Sequence, residues 1–215
     1  MERDVVAFVL VATDKRYKDQ QYGGTYMKDK PIAAGKSSFP LIDSSKFFSE
    51  IGLTENITML DVACGMGAYA LAASPYVGPS GKIYAVDLWE DGIDTLKNEI
   101  QNRSIDNIFP RVADVSQHIP VADRSVDTCL MATVLHDLVQ DNTDQGALKE
   151  VERTLKPQGK LAIVEFQKKE DPPGPPIGIR ISPEELEVFL QPFDMHPVKT
   201  VDIGEHLYLS IYYGT

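Results

Sequence analysis

The chain has few of the residues that build disulfide frameworks or metal sites. Its 215 residues include two cysteines, four histidines and one tryptophan. The two cysteines, Cys64 and Cys129, form no CxxC motif and lack the histidine spacing of a zinc site. We therefore predict no metal centre, no disulfide framework and a reducing compartment, with the cytoplasm as the default location.

Long apolar segments are also missing. The longest early apolar run, residues 5–12, is far shorter than the roughly 20 residues that a membrane helix needs. It follows two acidic residues and precedes no small-residue cleavage site, so we expect neither a membrane span nor a secretory signal. Its β-branched content instead predicts a strand.

Positive charge is scarce as well. Lysine and arginine number 21 against 32 acidic residues, which gives a net charge of −11. A surface of this sign repels phosphate backbones, so we predict no stable nucleic-acid binding, although modification of a nucleic acid brought by a partner stays open. The composition, with 43% apolar and 25% charged residues, is typical of a globular protein. The length of 215 residues indicates one domain with at most a small appendage.

The middle of the chain alternates between strand and helix patterns. Strands are predicted over residues 57–62, 82–87, 108–113, 126–132 and 160–166, and helices over 67–75, 91–103 and 144–155. Such alternation predicts a doubly wound α/β fold with a mostly parallel sheet covered on both faces. Pro110 favours an edge position for the third strand.

The two ends of the chain follow other patterns. Residues 171–176 (DPPGPP) predict a rigid loop, Ser182 caps a helix running to about residue 191, and residues 196–201 and 207–213 predict an antiparallel hairpin that closes one sheet edge. Near the start, Asp43 caps a predicted helix over 43–51. Residues 13–40 show no period, so we divide the chain into an N-terminal appendage or lid (1–40) and one domain (41–215).

One motif carries chemistry. Residues 60–67 (LDVACGMG) are a strand that runs into a G-x-G turn and then a helix, and Gly65 and Gly67 allow close approach of a ligand to the backbone. The second strand ends in Asp87, 26 residues after Asp61, where an acid binds vicinal ribose hydroxyls. The third strand is followed by Asp114. The sequence therefore predicts three carboxylates along one edge of the sheet.

The details of the motif select among nucleoside ligands. The third glycine of a pyrophosphate loop is absent, and G-x-x-x-x-G-K-[ST] does not occur. An acidic edge also disfavours pyrophosphate. A cationic sulfonium nucleoside with an α-amino group fits better: Asp61 lies on its ammonium side, Asp87 on the ribose and Asp114 near the adenine amine.

These motifs together resemble those of class I S-adenosylmethionine-dependent methyltransferases. LDVACGMG, AVD at 85–87, AD at 113–114, VDTCLMATVLHDL and LKPQGKLAIVEF occur in the order found in that class, over about residues 41–213. The resemblance is strongest to the type 11 group, which includes quinone C-methyltransferases and arsenite methyltransferases. It implies a Rossmann-like, seven-stranded sheet with a C-terminal antiparallel hairpin. Arsenite methylation would need at least three cysteines, and this chain has two.

The resemblance also implies a set of cofactor-binding residues. The methionine part of the cofactor would contact the glycine loop, Asp87 would hold the ribose, and Leu88 or Trp89 would lie against the adenine, although Trp89 is equally expected as a helix-start residue packed on the sheet. Thr133 would lie beneath the cofactor. The full predicted set is Asp61, Ala63, Cys64, Gly65, Gly67, Asp87, Leu88, Trp89, Asp114, Val115 and Thr133.

Candidate catalytic and acceptor-binding residues lie outside the glycine loop. His136, after the fourth strand, is a candidate general base, or a cap or loop residue that shapes the pocket. Glu165 is a second catalytic candidate, with a strand-end acid paired to a lysine as the alternative. Arg180 is predicted either to bind an anionic group of the acceptor or to form a surface salt bridge. Tyr22 and Lys36 are candidate substrate-binding residues of a lid.

We therefore predict an enzyme that transfers a methyl group from S-adenosylmethionine to a small-molecule acceptor, leaving S-adenosylhomocysteine. The alternatives are a protein or macromolecular-complex methyltransferase, a non-catalytic nucleoside-binding module of the same fold, and a dehydrogenase. The sequence specifies neither the acceptor nor the oligomeric state.

Overall fold

A computed structural model describes residues 35–170 and 172–214. Seven strands form one sheet in the order β3-β2-β1-β4-β5-β7-β6. The strands are β1 (Thr58–Val62), β2 (Lys82–Asp87), β3 (Ile108–Val112), β4 (Val126–Ala132), β5 (Leu155–Phe166), β6 (Met195–Asp202) and β7 (Leu207–Gly214). β1 to β5 pair in parallel, and β7 runs antiparallel to both β5 and β6. The predicted seven-stranded, mostly parallel α/β fold with its terminal hairpin is confirmed.

Within the described residues, six α-helices cover the sheet. They are α1 (Ser44–Ile51), α2 (Ala68–Val77), α3 (Glu90–Asn102), α4 (Leu135–Gln140), α5 (Asp144–Thr154) and α6 (Pro183–Leu190). Buried residues of α1, α2 and α3 share one apolar core with one face of the sheet, and those of α4, α5 and α6 share a second core with the other face. Burial of the strands on both faces explains their nearly continuous apolar sequences.

Local sequence signals explain where several elements begin. The Asp43 carboxylate accepts a hydrogen bond from the backbone N–H of Lys46 at 3.0 Å, which caps α1 as predicted. Ser182 and Glu185 form a reciprocal capping box at the start of α6. Pro110 lies in β3, the outermost strand on its side of the described sheet, as predicted.

Three features differ from the sequence-based expectations. Pro75 does not end α2, because it lies in the last turn, where a missing N–H removes only one helical hydrogen bond. β5 begins at Leu155 rather than at residue 160, since Leu155 already pairs with Val126 before an irregularity in the register. The short helix α4 was not predicted at all.

The structure also informs the predicted lid. Ser38 is buried, and the Phe39 ring packs edge-on against Tyr69 of α2 with 5.1 Å between ring centroids. Residues 38–40, assigned by sequence to the N-terminal segment, thus lie against the domain. Tyr22 and the predicted strand at 5–12 lie outside the described residues. No helix within the described ranges is long and apolar enough to cross a membrane.

Candidate functional site

The site lies at the carboxyl ends of the parallel strands, where the strand order reverses between β1 and β4. Open α/β sheets bind ligands in the crevice at this position. The loop from β1 to α2 turns sharply there, with positive φ angles at Ala63 (55°), Gly65 (57°) and Gly67 (76°). A Cβ on Gly65 would meet no atom within 4 Å, whereas one on Gly67 would lie 2.5 Å from Leu96. Gly65 therefore faces open space, and Gly67 faces the core.

Asp87, at the end of β2, organises this loop. One carboxylate oxygen accepts a 2.7 Å hydrogen bond from the Gly65 N–H, and the other accepts a 2.7 Å bond from the Trp89 N–H. Trp89 begins α3 and is partly buried, and a Cβ on Gly92 would lie 2.5 Å from its ring. Leu88 is 59% exposed beside it. The predicted loop and strand-end residues are therefore brought together around Asp87.

Asp61 carries a buried carboxylate without a complete set of partners. Its side chain is 1% exposed, and its Oδ2 atom has no hydrogen-bond partner among the described residues. Burial raises the pKa of Asp61 to about 7, and the negative charge of Asp87 acts in the same direction. A hydrogen bond from the Ala70 backbone opposes this rise. A buried carboxylate that lacks a donor is costly to the fold, and a cationic or hydrogen-bond-donating ligand would relieve that cost.

The third predicted carboxylate has a different environment. Asp114 is exposed, and its Oδ1 atom accepts hydrogen bonds from the backbone and the hydroxyl of Ser116 at 2.9 and 2.7 Å. Val115 next to it is buried in the core. Asp114 therefore shapes a turn at the rim, and both residues follow the end of β3 as predicted.

Three hydroxyl groups form a cluster that sequence reasoning missed. The Ser38 hydroxyl lies 3.0 Å from the Tyr69 hydroxyl and accepts a 3.1 Å hydrogen bond from Thr133. Thr133 directly follows β4 and has a φ of 53°, and its predicted position beneath the cofactor stays a prediction. The cluster joins the N-terminal segment to α2 and β4. No spacing signal in the sequence reveals it, because Ser38 and Thr133 are 95 residues apart.

The two catalytic candidates touch each other. Nδ1 of His136, in the first turn of α4, lies 2.7 Å from Oε2 of Glu165 near the end of β5. Both side chains are buried. Among the described residues, Glu165 pairs with His136 and not with a lysine. His136 is a buried residue within α4 rather than a cap or loop residue.

The electrostatics of His136 follow from this pair. Burial lowers its pKa, but the charge and the hydrogen bond of Glu165, with a smaller contribution from Asp137, outweigh burial and raise the pKa above its ordinary value. Burial raises the pKa of Asp137 too, with Glu165 acting in the same direction, while His136 and the exposed Lys36 act against it. Lys36 is therefore close enough to act on Asp137, and its role in binding the acceptor stays a prediction.

Arg180 has a role that neither sequence alternative described. It is 4% exposed, so it does not lie at the surface. Its Nε, Nη1 and Nη2 atoms donate to the carbonyls of Pro175, Gln167 and Pro173 at 2.8, 3.0 and 3.1 Å, and its guanidinium lies 5.7 Å from the Phe166 ring centre. These contacts hold the proline loop on the end of β5. They favour a structural role over acceptor binding, which stays a prediction.

The known proteins that this chain resembles are named as methyltransferases. Residues 60–163 match a family model described as a methyltransferase domain, of type 11. A demethylmenaquinone methyltransferase of Lactobacillus johnsonii is 29% identical over 127 residues, which are 59% of this chain and 51% of that protein. A ubiquinone/menaquinone biosynthesis C-methyltransferase of Hahella chejuensis is 30% identical over 121 residues, 56% of this chain and 47% of that protein. The chain thus spans about half the length of the curated relatives it matches.

Solved structures also resemble most of the chain. The crystal structure of a SAM-dependent methyltransferase from Aquifex aeolicus superposes with a TM-score of 0.76 and 29% identity, covering 83% of this chain and 93% of that one. The similarity therefore extends beyond the segment matched by the family model. The resemblance identified from sequence motifs is confirmed.

Proposed function

We propose that this chain transfers a methyl group from S-adenosylmethionine to a small-molecule acceptor, because residues 60–163 match a type 11 methyltransferase domain and the fold resembles that of a SAM-dependent methyltransferase. One observation carries the proposal: the buried, incompletely partnered Asp61 carboxylate lies beneath a glycine loop whose Gly65 faces open space. This arrangement suits a ligand that combines a cationic group with a nucleoside. The same pocket would disfavour an anionic pyrophosphate.

The residues at the site fit S-adenosylmethionine group by group. Asp61 would receive the α-ammonium group, and Asp87 would accept the ribose hydroxyls with lone pairs left over from its two backbone bonds. Leu88 and Trp89 would lie against the adenine ring, with Asp114 at its edge. When bound, the cofactor supplies an electrophilic methyl group on a sulfonium.

The remaining predicted residues complete this assignment. Ala63, Cys64, Gly65 and Gly67 would surround the methionine part through their backbone, Val115 would support the adenine, and Thr133 would lie below the sulfur. Burial raises the pKa of the Cys64 thiol well above its ordinary value, with the charges of Asp61 and Asp87 acting in the same direction. Cys64 therefore stays a neutral thiol and does not compete as a methyl acceptor.

The acceptor would enter between the cofactor pocket and α4. His136 and Glu165 lie on that side of the switch point, and Lys36 lies near Asp137 at the rim. We propose a quinol-type ring as the first acceptor class to test, because relatives that match about half of this chain are named for demethylmenaquinone and ubiquinone biosynthesis. Residues 1–40 would act as the lid over this acceptor.

Calorimetry tests the cofactor assignment. We expect S-adenosylmethionine and S-adenosylhomocysteine to bind with micromolar dissociation constants, unaffected by an excess of NAD or ATP. Binding of NAD in their place would contradict the proposal and favour a dehydrogenase. Binding without any methyl transfer would favour the non-catalytic module.

A labelling screen tests the acceptor class. The protein and the methyl-labelled cofactor are incubated in two parallel sets of reactions. One set contains 1,4-naphthohydroquinone or a pool of small metabolites, and the other contains a whole lysate. We expect label in the small-molecule fraction. Label confined to lysate proteins would favour a protein methyltransferase. We also propose the cytoplasm as the location, in keeping with the two free thiols, and cell fractionation tests it.

A further inference from the structure

Glu165 binds one residue with both of its carboxylate oxygens. Oε2 lies 2.7 Å from His136 Nδ1, and Oε1 accepts a 3.2 Å hydrogen bond from the His136 backbone N–H. The Glu165 side chain is fully buried, and the sequence separation of 29 residues places the pair on two different elements, β5 and α4. This double contact fixes the position of the imidazole ring relative to the end of the sheet.

The contact also decides which ring nitrogen is free to react. An ionised carboxylate only accepts hydrogen bonds, so Nδ1 must carry the hydrogen that it donates to Glu165. In the neutral ring, Nε2 is then a bare acceptor. Its nearest carboxylate oxygen in the described chain, Oδ1 of Asp137, is 3.7 Å away, which is too far for a hydrogen bond. Within the described residues, no hydrogen bond occupies Nε2.

We propose that Glu165 is a positioning residue that holds His136 in the Nδ1–H tautomer, and that Nε2 of His136 takes a proton from the methyl acceptor. The acceptor class is then one whose reacting atom carries a dissociable proton, such as a phenolic or enolic hydroxyl or the ring carbon activated by it. This inference rests on the proposed methyl transfer. It separates the two residues that the sequence treated as equivalent catalytic candidates, since only His136 would touch the acceptor.

The proton and electron balance is simple. The acceptor's X–H bond breaks, its proton moves to Nε2, and its electron pair stays on X. At a hydroxyl acceptor that pair forms the bond to the methyl group, while the electron pair of the broken C–S bond stays on sulfur. At a ring carbon the pair is delocalised from oxygen onto the carbon, which forms the C–CH₃ bond, and the proton of that carbon then passes through solvent to the oxygen and restores the aromatic ring. The imidazolium keeps its hydrogen bond to Glu165, which stabilises the charge until solvent removes the proton.

The charged groups around His136 have opposing effects. Glu165 from β5 and Asp137 from α4 favour the imidazolium, while Arg180, which precedes α6, disfavours it. Lys36 and Asp141 act on Asp137 and so reach His136 indirectly. Tyr208 of β7 pairs with Glu165 in the sheet register, but its hydroxyl donates to the carbonyl of Ile181 and stays neutral.

Nuclear magnetic resonance of the wild-type chain gives a test that needs no turnover. Long-range ¹⁵N–¹H spectra with S-adenosylhomocysteine present distinguish the two tautomers, and the His136→Gln spectrum assigns the signal among the four histidines. We expect the Nδ1–H tautomer at high pH and a titration midpoint above the ordinary value of about 6.5. The Nε2–H tautomer would overturn the proposal.

Glu165→Gln tests the positioning role directly. Removing the charge should lower the His136 midpoint by roughly one pH unit or more, and lower the maximal rate with 1,4-naphthohydroquinone roughly tenfold to a hundredfold. The pH at half-maximal rate should move down with the midpoint. The dissociation constant of S-adenosylhomocysteine should stay the same. A rate loss without a shift of the pH profile would indicate a merely structural residue and overturn the proposal.

A matched control is the second histidine–glutamate pair. Nδ1 of His118 lies 3.3 Å from Glu150, but this histidine is 69% exposed and lies in the segment after β3 rather than on α4. Glu150→Gln should leave the His136 titration and the pH profile unchanged. If wild-type protein binds no S-adenosylhomocysteine, the proposed function fails, whereas the tautomer measured without ligand still decides the positioning role.

Discussion

Asp87 receives a backbone N–H on each carboxylate oxygen, which makes it a test of the nucleoside pocket at the scale of one residue. Asp87→Asn keeps the size of the side chain but turns an amide donor toward one of those N–H groups. We expect the dissociation constant of S-adenosylmethionine to rise about tenfold to a hundredfold, or 1–3 kcal/mol, from calorimetry. Asp91→Asn, exposed in the first turn of α3, should have no effect. Equal affinity for both variants would contradict the ribose assignment.

Asp61 should make the free energy of unfolding decrease as pH rises. A carboxylate in an ion pair has the opposite effect, because its pKa is lowered on folding. The pKa of Asp61 rises from 3.8 to about 7 on folding, mainly through burial, so the folded state holds a proton between those pH values that the unfolded state has lost. Its stabilising effect is complete below about pH 4 and disappears as pH rises through about 7.

Asp61→Asn removes this titration, so the variant should be more stable than wild type at pH 8, by on the order of 1 kcal/mol or more. Urea unfolding from pH 4.5 to 8 measures the difference. The exposed Asp106→Asn serves as the control and should follow the wild-type curve. A constant difference across that range would show that Asp61 is already ionised in the fold.

The residues of the site could be predicted only where a short stretch of sequence indicates their position. The three aspartates lie at or near the carboxyl ends of strands, and the ends of parallel strands share one edge, so the sequence alone predicts them at that edge. The contact between His136 and Glu165 depends on the register of β4 and β5, which no local pattern encodes. The same holds for Arg180, whose burial against three carbonyls depends on the path of the proline loop.

At the scale of elements, the turn from β1 into α2 offers two glycines with different constraints. Gly67→Ala should destabilise the fold by roughly 2–4 kcal/mol, because φ is 76° and the new Cβ would overlap the buried Leu96. Gly65→Ala should cost only about 1 kcal/mol, for its φ of 57°, since its Cβ meets nothing within 4 Å.

The same pair separates stability from binding. Chemical unfolding measures the stability of each variant, and calorimetry measures its affinity for S-adenosylmethionine. Gly65→Ala should weaken S-adenosylmethionine binding at least tenfold, because its methyl group would enter the proposed cofactor space, whereas the folded fraction of Gly67→Ala should bind more nearly as wild type does. The reverse ranking would show that the cofactor does not pass Gly65.

Most elements were predictable from sequence because their caps and periods are strong. Asp43 and Ser182 mark helix starts by side-chain hydrogen bonds, and β2 and β4 have the predicted bounds. Helix α4 escaped prediction because it has only six residues and lacks a side-chain cap. The early start of β5 escaped prediction because Pro157 argues against a strand, and only pairing with β4 overrides that preference.

At the scale of the whole molecule, the net charge of −11 should favour a cationic ligand over a neutral one. S-adenosylmethionine carries one more positive charge than S-adenosylhomocysteine. Their affinity ratio should therefore fall a few-fold between about 0.05 and 0.5 M sodium chloride, as the screening length shortens. Calorimetry at both salt concentrations measures it, with adenosine as the uncharged control. Identical salt dependence for both ligands would show that only contacts inside the pocket distinguish them.

Both outermost strands of the described sheet contain a proline, Pro110 in β3 and Pro197 in β6. Pro197 also lies at an irregularity in the pairing of β6 with β7, and Lys199 follows it. Neither border can offer an unbroken row of N–H donors to a strand from another molecule. The chain is consequently protected against growth into fibrils through its sheet, so concentrated samples should resist cross-β assembly even though one border is almost wholly bare to solvent.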